Sequence, residues 1–237
     1  MWVAGRTINY TLKSKKLARE EEAIYNHKYR LKDPEPKVMA LVIKKMAHWL
    51  GADLVGITKL NPVWVYSNWG DYNAAYLNFV KSGDPVELPS EYDKVIVMAH
   101  AVPLEYISKS PDIEAGTDLN YSRASFSSTS MATFIRELGY KAIPAVNKIA
   151  LSIPLTVDAG LGELGHNGLL ITPEYGPGLQ ICKVFTNLPL DFDSPIDFGI
   201  QKFCEKCKLC ADNCASGAIC DGRRTDKGWD KSNSTGL

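Results

Sequence analysis

Four cysteines lie within eleven residues near the C-terminus: Cys204, Cys207, Cys210 and Cys214. Their spacing is C-x2-C-x2-C-x3-C, and loops this short can turn three thiolates toward one face of an iron–sulfur cubane. Zinc sites more often use two separated cysteine pairs, and a disulfide staple would strain several of the possible pairings. The run therefore predicts these four thiolates as metal ligands of a 4Fe-4S site.

The same spacing occurs in bacterial ferredoxins, where the fourth cysteine of the run serves a second cluster. The residues after Cys214 contain one further cysteine, Cys220, which we interpret as a free thiol. We therefore expect a second cysteine motif beyond this sequence. Cys182 lies in an apolar stretch and is predicted to be a small core residue.

Composition excludes several classes of protein. The net charge is zero, which does not favour a nucleic-acid partner, and 45% of the residues are hydrophobic, as in ordinary globular proteins. A chain of 237 residues can hold one large domain and a small appendage. No apolar run reaches the roughly 18 residues that a membrane span needs, and no export leader opens the sequence.

Hydrophobic periodicity and turn residues predict alternating helices and strands, and hence a layered α/β fold. The predicted helices cover 36–50 and 121–139, and the predicted strands cover 53–58, 94–102, 141–146, 168–172 and 180–186. We divide the chain into a helical arm (1–36), a core (37–199) and the beginning of an iron–sulfur domain (200–237).

Glycines cluster in the segment Val157–Pro177, where Gly160, Gly162, Gly165 and Gly168 fall within nine residues. Glycine lets the backbone approach a flat ligand closely and adopt positive φ. A dinucleotide-binding loop should follow a strand and open a helix, whereas these glycines follow a predicted helix and lead into a strand. Tight packing at a helix turn is the other interpretation.

Three motifs together resemble the cobamide-dependent reductive dehalogenases across Val157–Ile219: DAGLGELG-x-NGLLITPEYGP, CKVFTNLPL and the cysteine run. Weaker resemblance reaches back to GADLVGIT and WVYS, and the sequence is more distantly similar to epoxyqueuosine reductase. The resemblance implies a nitroreductase-like cobamide-binding core, with the four glycines as cofactor-binding residues, followed by the start of a ferredoxin-like domain with two 4Fe-4S clusters. It also implies a fragment that lacks its leader and second cysteine motif, so we expect the 237-residue chain itself to be inactive.

The resemblance further implies that a carbon–halogen bond is replaced by carbon–hydrogen at a cobamide cobalt reduced through the clusters, in organohalide respiration. The substrate would be a small apolar organohalide, and the partners an electron donor and a membrane-anchor protein at the outer face of the cytoplasmic membrane. The family binds its cobamide without a protein ligand to cobalt. In agreement, none of the histidines lies in a D-x-H-x-x-G motif: His27, His48, His100 and His166.

The resemblance assigns catalytic roles to Tyr121, as proton donor, and Asn147, as a polar pocket residue. Gln180 stands where the family often has arginine, and a neutral amide does not replace a guanidinium. Lys148 and Lys183 are candidate substitutes. Two further departures are His166, where the family often has a basic residue, and Ala215, where it usually has proline.

Other interpretations remain open from the sequence. The aromatic residues of the loop that begins near residue 61 would line a substrate pocket or belong to the core: Trp64, Tyr66, Trp69 and Tyr72. An epoxyqueuosine reductase-like enzyme would share both cofactors. A non-catalytic 4Fe-4S electron-transfer protein would share only the clusters, and the roughly 200 residues before the cysteines argue against it.

Overall fold

A computed structural model describes residues 30–70, 81–108 and 112–219. Most of the predicted helical arm therefore lies outside the described residues. His27, Tyr72 and Cys220 lie outside them as well.

An antiparallel sheet is the centre of the described part of the chain. The strands are β1 (Leu54–Lys59), β2 (Lys94–Ala101), β3 (Ala142–Ala145), β4 (Glu163–Leu164), β5 (Leu170–Ile171) and β6 (Leu179–Thr186). Four of them form the main sheet in the order β1-β2-β6-β3, and every neighbouring pair is antiparallel. β4 and β5 form a separate small hairpin.

Helices cover both faces of the main sheet. They are α1 (Pro36–Trp49), α2 (Leu104–Ile107), α3 (Asp112–Glu137), α4 (Ser152–Asp158), α5 (Ile200–Cys207) and α6 (Leu209–Asp212). α1 and α3 pack on one face, against Ile96, Met98 and Val184, and α4 packs on the other, against Val97 and Phe185. Because both faces are covered, the central strands β2 and β6 are apolar over most of their length.

The predicted mixed α/β class is confirmed, with an antiparallel sheet. The helix predicted over 36–50 and the strands predicted near 53–58, 94–102, 141–146 and 180–186 are present. The strand predicted over 168–172 shortens to the two residues of β5. Within the described residues, none of the helices combines the length and the apolar character that crossing a membrane requires.

The helix predicted over 121–139 begins nine residues earlier, at Asp112. The missed segment 112–120 is largely polar and contains the buried residues Gly116 and Asn120, so apolar periodicity does not mark it. Within the predicted part, Ser127 and Ser128 are buried, and their hydroxyls donate to the carbonyls of Ala124 and Ser125, both at 3.2 Å. Such back-bonding satisfies the hydroxyls inside the helix, and these serines therefore do not end it.

Asp193 fixes the connection that leads from β6 to the cysteines. Its carboxylate accepts the backbone N–H of Ile57 at 2.8 Å, and its own N–H donates to the carbonyl of Ile57 at 2.8 Å. Lys44 of α1 pairs with the same carboxylate. The connection is thereby attached to β1 and α1, which sets the starting point of α5.

Gly56, in the middle of β1, allows the end of α4 to approach the sheet. A Cβ atom at this position would overlap the carbonyl oxygen of Ala159. We expect Gly56→Ala to lower the free energy of unfolding by about 1–3 kcal/mol, the usual cost of overpacking. The midpoint and slope of urea unfolding would measure the change.

Gly70→Ala is the matched control for this substitution. Gly70 has no atom within 4 Å of its Cβ position and is not in the left-handed region, so its unfolding midpoint should stay close to that of the unaltered chain. Equal midpoints for both variants would contradict the close approach of α4 to β1.

Candidate functional site

The four predicted glycines form a bend between α4 and β5, and three of them accommodate the chain itself. A Cβ at Gly160 would overlap the carbonyl oxygen of Ser194, and one at Gly162 would overlap that of Ile171. The Cβ position of Gly165 is crowded by Asn167 and Ile171.

Gly168 is different from the other three. It has φ +78°, is exposed, and has no atom within 4 Å of its Cβ position. Packing within the bend thus explains why Gly160, Gly162 and Gly165 lack side chains, whereas Gly168 leaves open backbone at the surface. Contact of the four glycines with a cofactor stays a prediction.

The hairpin inside this bend is attached to the helix that carries the first two cysteines. Oε2 of Glu163 accepts the backbone N–H groups of Phe198 at 2.7 Å and Ile200 at 3.2 Å. A carboxylate at the N-terminus of α5 satisfies donors that have no partner within the helix and interacts favourably with the helix dipole. The side-chain amide of Gln201 donates to the carbonyl of Leu164.

The cysteine quartet lies beside the same bend. Cys204 and Cys207 are on α5, Cys210 is on α6 and Cys214 follows α6; Lys208, with φ +56°, separates the two helices. The side-chain amide of Asn167 lies 3.7 Å from the sulfur of Cys210 and donates to it. Cys204 and Cys214 are half-buried, Cys207 and Cys210 are exposed, and all four are free thiols.

Hydrogen-bond donors surround Cys214 and favour its thiolate. The hydroxyl of Ser216, followed by the backbone N–H groups of Ile219 and Ala218, lowers the pKa of the Cys214 thiol to about 7. Cys182 is the opposite case. It is fully buried in the core, as predicted, and burial raises its pKa to about 12.

The chemistry of these donors fits an iron–sulfur cluster. Four free thiols occur on consecutive short segments, and N–H or O–H groups donate to two of the sulfurs, as is usual around cluster thiolates. Across residues 30–70, 81–108 and 112–219, no three His, Cys, Asp or Glu side chains converge as a ready-made metal site. Binding would therefore require the cysteine side chains to turn toward a common centre.

Tyr121 and Asn147 are brought together although 26 residues separate them. The side-chain amide of Asn147 donates to the hydroxyl of Tyr121 at 2.7 Å, and both side chains are exposed. Tyr121 is on α3, and Asn147 lies in the segment between β3 and α4. α4 then leads to the glycine bend; its seven residues span about 10 Å.

Gln180 is the second residue of β6 and lies opposite His100, and its amide makes a long bond, 3.4 Å, to the carbonyl of Ile181. His100 is a core residue: its Nε2 lies 2.8 Å from the hydroxyl of Ser127, and burial lowers its pKa. Lys183 is on the opposite face of the sheet from Gln180, where its ammonium donates to other groups. It does not replace the expected arginine.

The aromatic loop contributes to packing. The indole N–H of Trp64 donates to Asp158 at 2.8 Å, and its ring packs against the core beneath α4. Tyr66 and Trp69 are half-buried. These contacts favour the core interpretation for Trp64.

Sequence reasoning missed Glu163, Gln201 and Asn167, the side chains that join the bend to the cysteine helices. Their partners lie between 35 and 43 residues away. Local patterns carry no signal for such contacts, and Glu163 and Asn167 are inconspicuous between the glycines.

Comparison with known proteins identifies close relatives. The chain is 37% identical to the tetrachloroethene reductive dehalogenase of Sulfurospirillum multivorans, over 85% of this chain and 44% of that protein. A solved reductive dehalogenase, described as suggesting a mechanism for B12-dependent dehalogenation, matches with a TM-score of 0.71 and 27% identity, over 83% of this chain and 28% of that one. No family model matches the chain.

Epoxyqueuosine reductase from Streptococcus thermophilus shares the fold, with a TM-score of 0.51 and 21% identity, over 76% of this chain and 53% of that one. The chain spans less than half the length of the reductive dehalogenases it matches in sequence. Identity of 37–38% over most of this chain, together with the shared fold, shows that the chain belongs to the reductive dehalogenase family.

Proposed function

We propose that this chain forms the catalytic core of an enzyme that reductively dehalogenates a small apolar organohalide. The carbon–halogen bond breaks, a carbon–hydrogen bond forms, and the halogen leaves as halide; two electrons and one proton enter. The observation that carries the proposal is the exposed Tyr121 hydroxyl held by Asn147 at 2.7 Å, in a chain homologous to reductive dehalogenases.

Two cofactors would supply the redox chemistry. A cobamide, when bound, would supply a cobalt centre suited to low-potential electrons and to cleavage of a carbon–halogen bond. Gly168 leaves open backbone on the bend, and the side chain of the adjacent Leu169 is exposed, so a flat ligand would meet backbone and an apolar side chain there. The iron of a 4Fe-4S cluster would be held by the quartet Cys204, Cys207, Cys210 and Cys214.

The contact between the bend and the cysteines supports electron delivery. Glu163, Gln201 and Asn167 connect the hairpin to α5 and α6. A cluster on the quartet would therefore lie next to a cofactor on the bend, within the short distance that electron transfer requires. The chain's contribution is to hold the two groups at a fixed separation.

Tyr121 would donate the proton. Its O–H transfers the proton to the substrate carbon, which leaves a phenolate on the tyrosine. The amide of Asn147 already points at this oxygen, and a hydrogen bond to the charged form stabilises it. Gln180 offers no positive charge at the position where the family often has one, so Asn147 bears more of this task here.

We assign the finer features by the same family likeness. Residues 37–199 would form a nitroreductase-like cobamide core, and 200–237 the start of a ferredoxin-like domain with a second cluster. An electron donor and a membrane-anchor protein would be partners, with the enzyme exported to the outer face of the cytoplasmic membrane.

The direct test is halide release by the protein expressed from its complete gene. Reconstituted with cobamide and iron–sulfur clusters and supplied with a strong low-potential reductant, it should release halide from a chlorinated alkene or arene, as measured by ion chromatography. It should leave epoxyqueuosine in tRNA unreduced. Reduction of epoxyqueuosine without halide release would favour the epoxyqueuosine reductase interpretation, and clusters without corrinoid binding would favour simple electron transfer.

The proton-donor role predicts the behaviour of Tyr121→Phe. This variant should keep its corrinoid, as judged by the visible absorption spectrum, but lose about 100-fold or more in turnover, the usual contribution of a general acid. Tyr140→Phe is the control, because the Tyr140 hydroxyl donates to the carbonyl of Leu31 and not to a group of the proposed site. Turnover near the unaltered level in Tyr121→Phe would exclude the role.

The environment of Cys214 predicts its reactivity in the cluster-free chain. With a pKa of about 7, its alkylation by iodoacetamide should rise through neutral pH, whereas buried Cys182 should stay unreactive. Ser216→Ala removes the largest cause of the lowered pKa and should move the profile toward higher pH. A rise of one unit would cut the thiolate fraction at pH 7 from about one half to about one tenth.

Mass mapping of the labelled peptides gives the rate for each cysteine. A Cys214 profile that is the same with and without Ser216 would contradict the proposed stabilisation of the thiolate.

A further inference from the structure

Lys183 is a lysine in the middle of an apolar layer. It lies in β6 between Val97 of β2 and Ala145 of β3, which belong to the apolar core cluster on this face of the sheet, and its side chain is fully buried. Burying an ammonium group costs several kcal/mol unless hydrogen bonds compensate, and burial here lowers the pKa of Lys183 to about 7. A methionine would fill the same space without that desolvation cost, so packing alone does not explain why a lysine occupies this position.

The Lys183 amine bonds to both ends of the segment that joins β3 to α4. Nζ of Lys183 donates to the carbonyl of Val146 and to the hydroxyl of Ser152, both at 2.7 Å. Val146 and Ser152 stand at the two ends of the segment 147–151. One buried group therefore holds both ends of this segment from beneath.

Two backbone hydrogen bonds to the loop at Trp64 and Tyr66 also hold the segment. The backbone N–H of Tyr66 donates to the carbonyl of Ile149 at 2.9 Å, and that of Leu151 donates to the carbonyl of Trp64 at 2.8 Å. Ile149 has φ +74°, a conformation that β-branched residues rarely adopt. Such a conformation persists only where surrounding contacts impose it, and the contacts from Lys183, Trp64 and Tyr66 do so.

Asn147 is the first residue of this segment. It directly follows Val146, whose carbonyl accepts from Lys183. Its amide reaches the Tyr121 hydroxyl across a gap between two separate elements. We propose that Lys183 is a positioning residue, which holds Val146 and Ser152 so that the amide of Asn147 stays on the hydroxyl of Tyr121. The catalytic consequence of this role rests on the proposed function; the positioning itself does not.

The first test follows the NMR signals of the Asn147 side-chain amide. In the ¹H–¹⁵N spectrum of the whole chain without clusters, the Asn147 amide pair is the signal that disappears in Asn147→Asp. Lys183→Met keeps the length of the side chain and removes its donors; it should shift the Asn147 amide signals and speed the exchange of their hydrogens at least several-fold. An unchanged Asn147 signal in folded Lys183→Met would overturn the proposal.

Lys59→Met is the matched control. Lys59 is an exposed lysine at the end of β1 in the same sheet, and its replacement should leave the Asn147 signal and turnover unchanged. Should Lys183→Met fail to fold, Ser152→Ala takes its place, because it removes one of the two acceptors and keeps the amine. It should shift the Asn147 signal in the same direction; an unchanged signal would again overturn the proposal.

The second test is a double-mutant cycle in the reconstituted enzyme. Lys183→Met should lower kcat about tenfold with KM nearly unchanged, because positioning of a proton donor acts after substrate binding. In the Asn147→Ala background the same substitution should cost little further, since the two residues act as a unit. Additive losses would reject action through Asn147. If the unaltered enzyme releases no halide, the proposed function fails, and the amide signal alone decides the role of Lys183.

Discussion

The carboxylate of Glu163 accepts two backbone N–H groups at the start of α5, and the placement of the site depends on this contact. Without it, the hairpin of the glycine bend and the cysteine helices would still be joined through the long connection after β6 and through the contacts of Gln201 and Asn167, but the start of α5 would lose its acceptor. A cap of this kind typically contributes about 1 kcal/mol, a modest energy. Its importance is geometric, because it fixes where the first two thiols lie relative to the bend.

This arrangement explains why glycines occupy the bend. The carbonyls of Ser194 and Ile171 occupy the space that side chains at Gly160 and Gly162 would need. Ser194 follows Asp193, which is itself attached to β1 and α1. The bend is thus enclosed by the chain on one side and open at Gly168 on the other. A segment of this kind can present backbone to a flat ligand and remain rigid, since its inner side has no room to move.

The sequence predicted the elements with strong periodicity and the chemistry with fixed spacing. α1, the central strands and the cysteine run were recognisable because apolar repeats and cysteine intervals are local properties. The first turns of α3, residues 112–120, were not, because they are largely polar and the buried positions described there are Gly116 and Asn120 rather than large apolar residues. The contacts of Glu163, Asn167 and Lys183 were also beyond reach, since each joins residues that lie 31 to 43 positions apart. The family likeness assigned roles to Tyr121 and Asn147, but their hydrogen bond emerged only from the structure.

In the proposed reaction, Gln180 would change how a phenolate on Tyr121 is stabilised. A guanidinium would act through its permanent charge and tolerate small errors in position, because Coulomb attraction falls slowly with distance. A neutral amide acts through one hydrogen bond, which weakens steeply as its angle and length deviate. With a glutamine at this position, the Asn147 amide becomes the donor that the described residues place on the Tyr121 oxygen. The position of this amide then has to be held accurately. The strained segment 147–151, whose two ends are both bonded to the one buried amine of Lys183, provides that accuracy.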